Sequence, residues 1–286
     1  MTDPRLLIPA LLLVDSLYYV FARISALYLP PAAGAMYMMV LGALEIAALM
    51  RGRIDWRVLG AHRWLFLAIG LLVGVNTNMG FAVIRYVDPG TASLLSRTAI
   101  LFGVGLGVLW LRERLTRMEV LGAAIAVAGT AVVSFQPGDY FRWGALVVIL
   151  STLLYAVHSA LAKRWGSSIP LAEFLLFRVS ATAAVLVALT AAQGQLLWPE
   201  LPVLGLLAAM AFVNILVSRG LYYLALRRMD MSLLTIVLTL TPVVTWLWSM
   251  PLFGGRPTGQ EIAGGVAVLV GVLVVTVSRA RRQPVG

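Results

Sequence analysis

The stretch TRMEVLGAAIAVAG, residues 116–129, returns as TGQEIAGGVAVLVG at residues 258–271. Both phrases place Glu three residues after Thr, Gly three residues after Glu, and a second Gly seven further on. Thr-x-x-Glu ahead of an apolar run is a capping box: the threonine hydroxyl accepts from a backbone N–H one turn on, and the glutamate reaches back to the threonine N–H. Thr116 with Glu119, and Thr258 with Glu261, therefore each open a helix. The same 142-residue offset aligns Arg85 with Arg227 and Asp88 with Asp230 without a gap, so the chain reads as two copies of one unit, 1–137 and 138–286.

Of the 286 residues, 61% are hydrophobic and 12% charged, and the mean hydropathy is +0.94. A soluble domain is about half apolar and about a quarter charged. The composition is that of an all-α integral membrane protein, because glycines spread through long apolar runs suit close-packed helices and not the alternating strands of a barrel. The chain has no cysteine, which excludes disulfides, thiol nucleophiles and iron–sulfur ligation. Only two histidines, His62 and His158, argue against a histidine-rich metal site. Neither a metal nor a cofactor is expected. Without a nucleophile beside a base, an enzyme is not expected either. The opening RLLIPALLLV has the flavour of a signal peptide, but Asp15, Tyr18 and Tyr19 follow without a small-residue cleavage site, so it reads as the first span.

A crossing helix needs about 20 apolar residues. The runs that qualify are 5–27, 32–50, 64–85, 90–111, 118–135, 143–163, 169–192, 201–226, 231–252 and 259–279. The net charge of +10 would suit nucleic acid in a soluble protein, but here it sorts by loop instead. With the N-terminus inside, fifteen of the 22 Lys and Arg fall on cytoplasmic connectors, Arg23, Arg85, Arg142 and Arg256 fall outside, and Arg97, Arg178 and Arg219 fall within spans. This positive-inside bias fits ten spans in a lipid bilayer with both termini cytoplasmic, and no nucleic-acid partner. Five helices per copy is an odd number, so the second copy enters the membrane inverted. Inverted repeats are the usual construction of alternating-access transporters, with a central cavity at mid-membrane between the halves.

The run GFAVIRYVDPGTASLLSRTAILFGVGLGVLWLRERLTRMEVLGAAIAVAGTAVV at 80–133, with its Glu113–Leu115 turn, resembles the family hairpin of the drug/metabolite transporter superfamily, EamA type. TLTPVVTWLWSMPLFGGRPTGQEIAGG is similar to its second-half copy. Two departures stand out. The family's proline is absent near Ala99–Ile100 though present as Pro242, and the second turn lacks a counterpart of Glu113. The resemblance covers essentially the whole chain and implies ten transmembrane helices as two inverted five-helix repeats around a central cavity. Within the family the chain is most similar to aromatic amino acid exporters, which implies outward movement of amino acids across a bacterial inner membrane.

Ionisable groups at membrane depth are functional candidates by default. Asp15 lies near the middle of span one, facing the three in-span arginines, and is the candidate coupling residue. The spare positive charge suits a carboxylate better than an organic cation. The alternative is that Asp15 pairs with one arginine while the others snorkel or bond carbonyls. Helical spacing groups Thr235, Thr239, Pro242, Trp246 and Ser249 on one stripe of span nine, where a proline break frees a carbonyl beside a cavity or merely kinks the helix. Asn214, Ser218 and Tyr222 share a face of span eight, with Arg219 and Tyr223 beside it. Ser151, Tyr155 and His158 share one of span six, and Ser93 with Arg97 one of span four, next to Ser96. Asn76 and Asn78 lie on span three.

The candidate substrate-binding set is Tyr18, Asn76, Ser93, Arg97, Tyr155, His158, Asn214, Ser218, Tyr222, Thr239 and Trp246. Each also admits the plainer reading of helix-to-helix glue, and His158 that of a satisfied core histidine. Tyr18, Tyr19, Trp246 and Trp248 are placed to stack on an aromatic substrate, while Trp56, Trp64, Trp110, Trp143, Trp165 and Trp198 fall where an interfacial belt belongs. Gly70/Gly74 and Gly103/Gly107 read as packing surfaces. The expected function is a transporter that moves a small molecule, amino acids and aromatic ones first, with multidrug or nucleotide-sugar transport as the alternative.

Overall fold

Thr116 and Glu119 cap each other in the computed structural model: the Thr116 N–H donates to Glu119 Oε2 at 2.6 Å, and the Glu119 N–H to Thr116 Oγ1 at 3.2 Å. The capping box read from the sequence is therefore formed, and the helix it opens runs Arg117–Ser134. The structure describes residues 4–83, 98–134, 143–241, 243–245 and 258–282. Arg85, Asp88, Ser93, Ser96, Arg97, Arg142, Pro242, Trp246, Trp248, Ser249 and Arg256 lie outside them, as do the side chains of Tyr19, Arg23, Trp143 and Glu261. Among the described residues there is no strand.

The helices are α1 Pro4–Ser25, α2 Pro31–Leu49, α3 Trp56–Ala61, α4 Arg63–Val83, α5 Thr98–Leu109, α6 Arg117–Ser134, α7 Trp143–Gly166 and α8 Leu171–Ala192, then α9 Leu201–Ala211, α10 Arg219–Arg228, α11 Met231–Val237 and α12 Gly259–Arg282. Four helical stretches are long and apolar enough to cross a membrane: Ala32–Leu49, Leu146–Gly166, Leu171–Ala192 and Leu201–Arg228. Leu6–Tyr18, Arg63–Met79, Thr98–Leu109, Met231–Thr245 and Ile262–Ser278 are shorter apolar helices. The sequence pattern did not anticipate α3, a single polar-flanked helix inside the connector 51–63, which Asp55 caps by accepting from the Arg57 N–H at 2.9 Å. Trp56, Trp64, Trp165 and Trp198 are all exposed, as a belt of interfacial indoles would be.

The chain forms two compact units, residues 1–82 with 157–228 and residues 83–156 with 229–286. In the first, α2 packs on α8 and α9, and α1 packs on α10. Gly70 and Gly74 of α4 lie against Ala181 and Val185 of α8, so this pair is a packing surface, as expected. At one end two helices cap each other. Lys163 Nζ donates to the Leu226 carbonyl at 3.1 Å, and Arg227 Nη2 donates to the Gly166 carbonyl at 2.8 Å. Both cations thereby meet last-turn carbonyls at the negative dipole end of a neighbouring helix.

In the second unit, α12 lies along α6 and α11 along α5. Glycines make both approaches possible. A Cβ on Gly122 would fall 2.7 Å from the Gly271 carbonyl oxygen, and one on Gly129 would fall 2.7 Å from that of Gly264. Gly103 is packed by Thr235 and Gly107 by Ser232 and Glu113. Lipid is as apolar as a leucine side chain, so such close packing, not burial from water, holds these helices together.

Candidate functional site

The helix that follows Glu200 changes its winding midway. Between α9 and α10 the seven residues Phe212–Ser218 form a π-helix, with hydrogen bonds reaching five residues instead of four. Such an insertion widens the turn, and π segments recur at functional sites. It carries two of the candidate polar residues, Asn214 and Ser218, both buried. Asn214 Oδ1 has no hydrogen-bond partner.

The first side chain after the π segment is Arg219. Its Nη2 lies 3.4 Å from Asp15 Oδ1, and the Ser218 hydroxyl donates to the same oxygen at 3.0 Å. Asp15 and Arg219 are 18% and 17% exposed, so the pair is largely shielded and its attraction little screened. Among the described residues, the in-span arginine beside Asp15 is Arg219.

One turn further, two adjacent tyrosines reach α7. The Tyr222 hydroxyl donates to Ser159 Oγ at 2.9 Å. His158 Nε2 lies 3.0 Å from the Tyr223 hydroxyl, and His158 Nδ1 lies 3.5 Å from Ser159 Oγ. The imidazole is 1% exposed, with a polar neighbour at each nitrogen. Around this pair the first unit is aromatic. Tyr223 meets Tyr222 edge-on at 5.1 Å and Phe174 edge-on at 5.0 Å, and Phe66 packs against both Phe174 and Phe177. Arg178 lies over the Tyr223 ring at 5.0 Å.

Four expected residues, Asp15, His158, Ser218 and Tyr222, thus belong to neighbouring polar contacts of one unit. Asn214 lies on the same broken helix. Tyr18, one turn beyond Asp15, is 39% exposed, and Asn76 and Tyr155 are half-buried. Asn78 Oδ1 accepts from Gln193 Nε2 at 3.2 Å. In the other unit, Thr235 and Thr239 bond back to the Met231 and Ile236 carbonyls, the within-helix bonding typical of hydroxyls on membrane helices. Leu238–Leu240 tighten to a 3₁₀ turn just before Pro242. Ser93, Arg97 and Trp246 are outside the described residues. Sequence reasoning missed Ser159 as a member of the cluster, and named Arg178 only as an in-span arginine outside the candidate binding set. A hydroxyl adjacent to His158 was the available signal for the first. For the second it was an arginine flanked by Phe174, Leu175, Leu176 and Phe177. No group of three or more His, Cys, Asp or Glu gathers among the described residues.

Glu113, singled out in the Glu113–Leu115 turn, has a definite task. Its Oε1 accepts from the Met231 N–H at 2.6 Å, and Oε2 from the Ser232 N–H at 2.9 Å and the Ser232 hydroxyl at 2.6 Å. It is a carboxylate cap on the N-terminus of α11, placed where unpaired N–H groups and the positive dipole end favour an anion.

Long apolar helices, close glycine crossings and buried polar contacts define a multi-pass membrane protein with a helical core. The chain belongs to the EamA-like transporter family, whose profile matches it twice, over residues 6–135 and 142–277. It is 27% identical over 206 residues to an uncharacterized transporter of Archaeoglobus fulgidus, an alignment covering 68% of this chain and 70% of that one. It is also 27% identical over 199 residues to a probable terminal-alkyne amino-acid exporter of Streptantibioticus cattleyicolor, covering 66% of this chain and 65% of the relative. A solved crystal structure superposes with a TM-score of 0.80 at 22% identity, covering 97% of this chain and 98% of its own, and shows the shared fold.

Proposed function

We propose that this transporter exports amino acids, aromatic ones preferred, by alternating access across a bacterial inner membrane, with both termini cytoplasmic. The two five-helix halves, 1–137 and 138–286, are inverted repeats around a central cavity. The observation that carries alternating access is the swapped glycine contact. Gly122 and Gly264 are equivalent in the repeat, as are Gly129 and Gly271. Gly122 packs on Gly271 and Gly129 on Gly264, the reciprocal pattern of a two-fold axis between copies.

Amino acids are favoured by the aromatic surroundings of Tyr222 and Tyr223, by the buried positive charge on Arg178, and by the relative named as an amino-acid exporter. Within the family the chain also resembles the aromatic amino acid exporter YddG. In this reading Tyr18, Asn76, Ser93, Arg97, Tyr155, His158, Asn214, Ser218, Tyr222, Thr239 and Trp246 line the path, and Asp15 is the coupling candidate. Purified protein in liposomes is expected to take up labelled phenylalanine and tryptophan saturably and to exchange them in counterflow. A steady conductance without saturation would replace the carrier by a channel. Failure to move any amino acid, with transport of drugs or nucleotide sugars instead, would discard the amino acid assignment.

A further inference from the structure

The three arginines within the expected spans differ in surroundings. Arg97 is outside the described residues, and Arg219 is paired with Asp15 at 3.4 Å. Arg178 on α8 is 2% exposed, and neither its Nε nor its Nη1 has a hydrogen-bond partner. Its guanidinium lies 5.0 Å from the centre of the Tyr223 ring. A ring face attracts the charge but leaves the in-plane N–H groups without an acceptor. Buried polar groups are nearly always bonded, and a buried cation with idle donors is costly until a counter-ion meets it.

A carboxylate docks on a guanidinium along either of two edges, one containing Nε and the other Nη1. Each edge of Arg178 therefore retains an open donor. Dehydration makes the group selective, since an anion gains far more from it there than in water. Aromatic surfaces adjoin: Tyr223 under the guanidinium, with Phe174 and Tyr222 edge-on to that ring at 5.0 and 5.1 Å. The Tyr223 ring is itself anchored by its hydroxyl, 3.0 Å from His158 Nε2.

We infer that Arg178 receives the carboxylate of the transported substrate, with the Tyr223 and Phe174 rings against its aromatic part. This rests on the amino acid reading and names the group that recognises the charged end. It also gives the two arginines separate tasks: Arg219 is neutralised within the protein by Asp15, whereas Arg178 is neutralised by the cargo.

The test is counterflow of labelled L-phenylalanine in proteoliposomes by wild type, Arg178→Gln and Arg178→Lys, with L-phenylalaninamide and phenylacetate as competitors. Phenylacetate, which keeps the carboxylate, is expected to compete in the wild type, and the amide is not. Arg178→Gln is expected to raise the KM for phenylalanine about tenfold or more, as loss of a charge-assisted hydrogen bond should. Arg178→Lys is expected to fall between, because it keeps the charge but loses the planar edges. Wild-type KM in either substituted protein overturns the inference, and the lysine protein alone decides if the glutamine one does not fold. Should the wild type move no amino acid, the amino acid reading fails by itself. Direct binding of phenylacetate then decides Arg178: binding weakened in Arg178→Lys sustains its role, and no binding by the wild type, or equal binding by both, overturns it.

Discussion

Gly122 on α6 lies against the carbonyl of Gly271 on α12, so close that a Cβ would fall 2.7 Å from that oxygen. The obstacle is backbone, which cannot rotate aside. Gly122→Ala or Gly271→Ala is therefore expected to force the helices apart and cost about 1–3 kcal/mol. Gly205→Ala, with nothing within 4 Å of its added Cβ, is the control and should not destabilise. Thermal unfolding in detergent reads the difference. Equal midpoints for the Gly122 and Gly205 proteins would mean the α6–α12 approach is looser than it is drawn.

Glu113 is required for the start of α11 because two backbone N–H groups and one hydroxyl converge on its carboxylate. Glu113→Ala strands the Met231 and Ser232 donors, for an expected loss of about 1–3 kcal/mol. Glu113→Gln replaces an acceptor oxygen with a donor and removes the charge favoured at a helix N-terminus, so it should recover only part of the loss. The same measurement on Ser232→Ala, which leaves both N–H bonds in place, should show the smallest effect of the three.

The Tyr223 hydroxyl lies 3.0 Å from His158 Nε2, beside the Phe174 and Tyr222 rings. Tyr223→Phe keeps the ring beneath Arg178 and deletes only the hydroxyl. Loss of that hydrogen bond should then cost about 1 kcal/mol. His158→Gln, able to bond the tyrosine oxygen again, should cost less than His158→Ala. If Tyr223→Phe were as stable as the wild type, the 3.0 Å contact would not be a hydrogen bond of consequence.

The sequence makes some of this arrangement legible and leaves other parts hidden for identifiable reasons. Capping is local, so Thr116 and Glu119 could be paired from spacing alone, and the four-residue spacing of Gly70/Gly74 and Gly103/Gly107 marked packing faces. Partners distant in sequence were not readable. Nothing in the spacing of Glu113 points to Met231 and Ser232, 118 and 119 residues away. The π segment was invisible as well. Its apolar and polar residues fit a 3.6-residue period well enough, and its neighbours, α1 and α2, are distant in sequence. Thr239 shows what a polar stripe leaves open: spacing places the hydroxyl, but not the acceptor it takes, which is the carbonyl of Ile236.

Asp15 and Arg219 lie at the centre of the coupling question, because a carboxylate that serves as a proton site must be free to release its partners. Here Asp15 Oδ1 is engaged by both Arg219 and Ser218. Breaking the pair from one side leaves a shielded charge uncompensated, so the double substitution Asp15→Asn with Arg219→Gln should destabilise less than the sum of the two single ones. The coupling energy of the double-mutant cycle is expected to be on the order of 1–3 kcal/mol. Transport separates a structural pair from a proton site. If Asp15→Asn still exchanges phenylalanine and its dependence on an imposed proton gradient is unchanged from wild type, the pair holds α1 to α10 and coupling lies elsewhere. If gradient dependence is present in the wild type and disappears in Asp15→Asn while counterflow survives, Asp15 carries the proton and Arg219 is the counter-charge that takes its place on release.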